Sequence, residues 1–217
     1  MATEYALSRE GVESQFATNH LGPFLLTNLI MGKVVAARSP RVVMVASDGH
    51  RLSGIRFTDY NFDVSGCLFF CTDASRVVSR ADVSYQNGKV YNRWLAYGQT
   101  KTANMLMAIS LAEKLASRNL LAFSLHPGVI FTNIASHLED LNSSFKELGM
   151  CCSLASLIVL LSLTNRAGAL DRAQGNPEGW KGLDPKPLET GVSTHIYAAF
   201  DPDLAGKSPV MQLSFSV

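Results

Sequence analysis

The chain has 217 residues, 47% of them hydrophobic and 17% charged, with a formal net charge of +1. That length suits one domain with a substantial core, and the balanced charge excludes both the basic surface that nucleic acid demands and an acidic solvating tail. The opening residues, MATEYALSREGVE, show no basic stretch followed by an apolar run, so no secretory leader is expected and a cytoplasmic setting is. Cys67, Cys71, Cys151 and Cys152 form neither a zinc spacing nor a disulfide framework, and no metal site is expected.

In chain order, Ser8 reads as the N-cap, with Glu10 in the first turn, of a helix over about 10–35. Val12, Phe16, His20 and Phe24 recur every four residues and predict a buried face. Pro23 lacks the N–H that would bond the carbonyl of Asn19, so a kink and a freed Asn19 carbonyl are expected there. Next, RVVMVAS (Arg41 to Ser47) is a continuous β-branched run, the mark of a strand covered on both faces, closed by a turn at Ser47-Asp48-Gly49.

The stretch SYQNGKVYNRWLAYGQTK contains Y-x-x-x-K twice. Tyr85 and Lys89 enclose the turn dipeptide Asn87-Gly88, which breaks a helical pattern. Tyr97 and Lys101 lead into a proline-free run of strong helix formers, which places them on one face at the start of a helix. From Thr102 to Ala112 that helix has no charge, which predicts a second partner and a homo-oligomer formed through it. LAFSLH (Leu121 to His126) reads as a second buried strand, closed by Pro127-Gly128. Leu148 to Asn165 is uncharged but falls short of the roughly 20 residues of a bilayer span. It reads as a buried helix, an interfacial segment or an insertion, with membrane association as the less favoured alternative.

Strands alternating with helices give the rhythm of a parallel sheet covered by helices, and ligands in such sheets bind beyond the carboxyl ends of the strands. Ser47 and HPGVIFTN fall at those ends, and Tyr97 opens the helix between them. A tyrosine needs its pKa of about 10 brought towards 7 to work as a base, a stabilisation of about 4 kcal/mol. An ammonium at about 4 Å supplies that much at an effective dielectric of about 20, and Lys101 lies one helical turn on. With a serine hydroxyl to hold the substrate oxygen and the Asn19 carbonyl to anchor a water, the set suits proton transfer at an alcohol or ketone oxygen.

Asn19 in NHLGPF, Ser47 in VVMVASDGH, Tyr97 and Lys101 in YGQTK, and Pro127-Gly128 with Thr132 in HPGVIFTN resemble, in this order, the short-chain dehydrogenase/reductase family. The likeness is to its retinol-dehydrogenase-like and WW-domain-oxidoreductase-like members, and it returns in LDRAQGNPEGWKGLDPKPLETGVSTHIYAAFDPDL. It implies that Tyr97 is the general acid/base, that Lys101 lowers its pKa and bonds the nicotinamide ribose, and that Ser47 orients the substrate. It further implies that Asn19 completes a proton relay through its backbone carbonyl, and that Pro127, Gly128, Val129 and Thr132 meet the nicotinamide end of the cofactor. The implied reaction is hydride transfer between NAD(P), with NADP slightly favoured over NAD, and a small carbonyl compound or secondary alcohol.

The sequence departs from the family in two ways. No T-G-x-x-x-G-x-G or G-x-G-x-x-G occurs, and Gly175, Gly179 and Gly182, with Pro177 among them, read as a loop. The expected architecture is therefore α/β, the carboxyl-terminal part of a doubly wound parallel-sheet, Rossmann-like domain. It would be one partial domain over 1–217, beginning just before the helix of Asn19, without the first strands and the Gly-rich loop. Residues near 64–80 and 150–168 interrupt the family pattern and read as insertions. The alternative from another class is a non-catalytic remnant with an interaction role or none, and cofactor binding separates the two.

Overall fold

The computed structural model describes residues 1–63, 91–130, 132–137, 185–205 and 210–213. The readings made at Tyr85 and Lys89, the four cysteines, Gly175, Gly179 and Gly182, 64–80, 148–165 and 150–168 lie outside them. In chain order the elements are α1 (Ser14–Phe16), a π-helical turn (Ala17–Leu21), α2 (Gly22–Val34), β1 (Arg41–Val45), α3 (Arg93–Lys114) and β2 (Leu121–Leu125). There follow β3 (Val129–Ile130), β4 (Pro185–Lys186), α4 (Ser193–Phe200) and β5 (Val210–Leu213). The chain divides into two compact units, Met1–His126 with Ala198–Leu213, and Pro127–Tyr197 with Ser214–Val217.

In the first unit the amino-terminal helix starts later than Ser8. The Ser8 hydroxyl accepts the N–H groups of Glu10 and Val12, both at 3.3 Å, and so closes a turn. The helix cap is Glu13, whose carboxylate accepts the N–H groups of Gln15 and Phe16 at 2.8 Å. Buried completely, Glu13 also accepts the Tyr91 phenol at 3.0 Å. The expected irregularity at Pro23 takes the form of the π-helical turn just ahead of it, where the Gly22 N–H reaches back five residues to the Ala17 carbonyl. The face predicted to be buried is covered only in part: Phe16 and His20 are half-buried, and Phe24 is 47% exposed. Leu25, Leu26, Leu29 and Ile30 are exposed as well, so α2 carries a run of apolar surface.

The sheet of this unit is parallel, in the order β1-β2-β5. β1 and β2 pair in register from Arg41 opposite Leu121 to Val45 opposite Leu125. β2 is central, and its residues Ala122 to Leu125 are fully buried. β1 has a neighbour on one side among the described strands, and Val45 is 42% exposed. Cover on both faces, predicted for both strands, is thus complete for β2 and partial for β1.

Asn92 caps α3, its side-chain oxygen accepting the N–H groups of Trp94 and Leu95 at 3.0 Å. The helix therefore begins at Arg93, and Tyr97 lies in its second turn rather than at its opening. Met107 and Ala108 pack on Met44, with Val42 and Leu111 against them. The charge-free stretch of α3 buries Ala103, Asn104, Met107, Ala108 and Ala112, and leaves Leu106 47% exposed. Much of the surface that suggested another copy is covered by the chain's own sheet and loops.

In the second unit β3 and β4 pair in parallel, Val129 opposite Pro185. Gly128 precedes them at φ +93°, where a Cβ would stand 2.8 Å from the Lys186 Cδ, so both the conformation and the space call for glycine. Among the described residues no helix is long and apolar enough to cross a membrane. The architecture is α/β with a parallel sheet, of the Rossmann-like kind.

Candidate active site

The parallel register of β1 and β2 brings their carboxyl ends together, and the Ala46 N–H closes on the Leu125 carbonyl at 2.8 Å. Immediately beyond lie Ser47 on one strand and His126 on the other. Ser47 is extended and caps a 3-10 turn over Asp48–Leu52, its hydroxyl accepting the Gly49 N–H at 3.1 Å. Its carbonyl is taken by the His50 N–H at 3.1 Å and lies 2.7 Å from His50 Nδ1. Asp48 and His126 tie the two strand ends: His126 Nε2 is 3.3 Å from the Asp48 carboxylate, and Arg51 Nε is 3.7 Å from its other oxygen. Sequence reasoning passed over this pair, whose only signal was its place at the two strand ends.

Tyr97 is 8% exposed, and its ring and the Ser47 hydroxyl both lie beside Gly49. Its ring lies against Gly49, where a Cβ would come within 2.7 Å of Cε1, and stands edge-on to Trp94 at 6.4 Å. Lys101 sits over the same ring, Nζ 5.4 Å from its centroid, and donates to the Val45 carbonyl at 3.1 Å. Burial pushes the Tyr97 phenol above its usual 10, and the neighbouring Ser47 hydroxyl offsets this in part. Burial also lowers Lys101 below 10.5. The depression of Tyr97 expected from Lys101 is not found: burial sets the direction, and the Lys101 ammonium, 5.4 Å from the ring centroid, is bonded to the Val45 carbonyl.

Asn19 lies in the π-helical turn and reaches α3 through its side chain. Its Nδ2 donates to the Thr100 hydroxyl at 3.3 Å, which donates to the Tyr97 carbonyl at 2.7 Å. Beside it His20 Nδ1 and Asn104 Oδ1 are 3.0 Å apart, and Asn104 Nδ2 donates to the Val45 carbonyl at 3.4 Å. A groove of about 400 Å³ runs along β1, with Asn19, Lys101 and Asn104 in its lining. Asn19, Ser47, Tyr97 and Lys101 thus all belong to the first unit, the last three at one end of its sheet. Pro127, Gly128, Val129 and Thr132 belong to the second unit, where Val129 starts β3 and the Thr132 hydroxyl accepts the Ile134 N–H at 3.4 Å. Among the described residues no group of three His, Cys, Asp or Glu side chains could hold a metal ion.

Chemically, the first unit offers a serine hydroxyl and a phenol side by side with an ammonium over the phenol ring, at the strand ends where ligands of parallel sheets bind. Such donors suit a sugar hydroxyl or a carbonyl oxygen.

No family model matches the chain. Retinol dehydrogenase 14 of Mus musculus is 30% identical over 204 residues, covering 94% of this chain and 45% of that protein. The chloroplastic short-chain dehydrogenases TIC 32 A and TIC 32 B of Brassica napus are 37% and 32% identical over 207 and 209 residues. These matches cover 94% and 95% of this chain, and 49% and 50% of those proteins. The chain spans about half the length of the curated relatives it matches. With its parallel sheet, its motifs in family order and these relatives over nearly its whole length, the chain belongs to the short-chain dehydrogenase/reductase family.

Proposed function

We propose that the site carries out short-chain oxidoreductase chemistry, hydride transfer between a nicotinamide cofactor and a small carbonyl compound or secondary alcohol. Tyr97 is the general acid/base in this reading. The observation that carries it is the Tyr97 ring and the Ser47 hydroxyl side by side at Gly49, beyond the carboxyl end of β1, with Lys101 one turn further along α3 and over the same ring. The relatives' names, retinol dehydrogenase and short-chain dehydrogenase, support the same class.

Within the first unit Tyr97 and Lys101 fit the nicotinamide ribose of such a cofactor. The family resemblance assigns its nicotinamide to Pro127, Gly128, Val129 and Thr132 of the second unit. The pyrophosphate calls for a Gly-rich turn that these 217 residues do not contain. The bound cofactor, NADP in slight preference to NAD, supplies the hydride or accepts it. Ser47 holds the substrate oxygen, Tyr97 gives or takes the proton there, and Lys101 keeps a positive charge beside the ring. Asn19 orders the relay behind Lys101.

The test follows the absorbance of reduced nicotinamide with NADPH or NADH and a panel of aldehydes and ketones. Turnover is expected in the wild-type chain, with a loss of about 100-fold or more in Tyr97→Phe. A folded chain that turns over no pair is not a catalyst by itself, and the reading of a non-catalytic remnant then stands.

A further inference from the structure

The face of α3 that follows Tyr97 makes a set of contacts that acid/base chemistry does not use. Gly98, Gln99 and Thr102 share one face and grip the loop that runs from Ser47 to Tyr60. A Cβ on Gly98 would stand 2.7 Å from the Gly49 carbonyl oxygen, so helix and turn meet there backbone to backbone. Gln99 is fully buried, and both ends of its amide are used: Oε1 accepts the Arg56 N–H at 2.8 Å, and Nε2 donates to the Tyr60 carbonyl at 3.1 Å. The Thr102 hydroxyl lies 2.7 Å from the Ser53 carbonyl and 3.0 Å from that of His50. Ser47 is the first residue of the turn so fastened, and its carbonyl is bonded within that turn by His50.

These anchors have a geometric consequence. The height at which the Ser47 turn sits on α3 decides whether its hydroxyl meets the Tyr97 phenol, and a mobile turn would lose that alignment for most of the time. Thr102 directs its hydroxyl at the loop rather than at the preceding turn of its own helix, the usual local option for threonine. We infer that Gln99 and Thr102 are positioning residues for the Ser47–Tyr97 pair, holding the Ser47 turn at the level of α3 where the serine hydroxyl lies beside the Tyr97 ring. The inference rests on the acid/base reading of that pair and assigns it two supporting side chains outside the Tyr-x-x-x-Lys spacing.

The test labels the tyrosine rings of the full chain with carbon-13 and follows the Tyr97 Cζ resonance with pH, assigned by its loss in Tyr97→Phe. Ser47→Ala is expected to raise the Tyr97 midpoint by about half a unit, the effect of losing one hydrogen bond to the phenolate. Thr102→Val and Gln99→Met each raise it in the same direction, Thr102→Ser keeps the wild-type value, and Ser47→Ala with Thr102→Val goes no higher than Ser47→Ala alone. If Thr102→Val does not fold, Gln99→Met supplies the same readout. Folded Thr102→Val and Gln99→Met chains that keep the wild-type midpoint, while Ser47→Ala raises it, overturn the inference and leave the two side chains as loop fasteners only. A midpoint unmoved by Ser47→Ala instead shows that the serine hydroxyl does not act on the phenol, and overturns both the proposed function and this inference.

Discussion

Gly49 should tolerate no side chain, because the catalytic ring proposed here occupies the place of its Cβ. An alanine Cβ would stand 2.7 Å from Tyr97 Cε1, 2.9 Å from Cδ1 and 3.4 Å from the Ser47 hydroxyl. Carbon atoms prefer about 3.5 Å or more, so the ring or the turn must yield by about 0.8 Å. Neither yields freely: Trp94 and Lys101 lie on the ring, and Gly98 has its own backbone against the Gly49 carbonyl. Gly49 has no positive φ, so the cost is steric rather than conformational. Gly49→Ala should then cost about 1 to 3 kcal/mol, the range for overpacking. Gly54→Ala, in the same loop with nothing within 4 Å of its Cβ, should stay within about 0.5 kcal/mol of the wild type. Urea unfolding of the two variants gives the comparison, and repeating Gly49→Ala in a Tyr97→Ala background isolates the ring's share. The reasoning is refuted if Gly49→Ala costs no more than Gly54→Ala, or if its cost survives removal of the ring.

Three further outcomes are expected. Glu13→Ala should lose about 3 kcal/mol in urea unfolding, since it removes a helix cap and three hydrogen bonds to a fully buried carboxylate, and Glu13→Gln should lose less. Gly32→Ala, in α2 with open space around its Cβ, should gain about 0.5 to 1 kcal/mol by the same measurement. The raised pKa of Tyr97 makes the unfolded phenol lose its proton first, so its contribution to stability is complete below pH 10 and is lost as the pH climbs through the folded value. The stability of the wild type relative to Tyr97→Phe should therefore fall between pH 8 and pH 11. Tyr91, also raised by burial, is common to both chains and cancels in the difference.

Much of the site was legible because its logic is local. The Tyr97–Lys101 spacing needs only a helix, and Ser47 needs only a strand that stops at Val45. Pro23 marked the place of an irregularity, since a missing N–H must disturb any helix. That the disturbance would be a π-helical turn was not legible, because it depends on how residues 17–21 settle against α3, where Asn19 and His20 find Thr100 and Asn104. The helix start was misplaced because Ser8 satisfies a local rule, whereas Glu13 is held by Asn61 and Tyr91 from far along the chain. The direction of the Tyr97 shift was misjudged because a pairwise attraction to Lys101 can be read from spacing, but burial cannot. A signal for the loop anchors was present: Gln99, Thr100, Thr102 and Asn104 cluster beside Tyr97 in an otherwise apolar helix, and each has a partner in the fold.

The central claim is that the Tyr97–Lys101 face still receives a nicotinamide cofactor although the chain contains no Gly-rich turn. Calorimetric titration of the purified chain with NADPH and with NADH, in the wild type and in Lys101→Met, tests it most directly. Saturable binding of at least one of them, weakened by about tenfold or more in folded Lys101→Met, is the predicted result, since the variant removes a charged hydrogen-bond donor from the site. No saturable heat with either nucleotide, or binding indifferent to Lys101→Met, would contradict it.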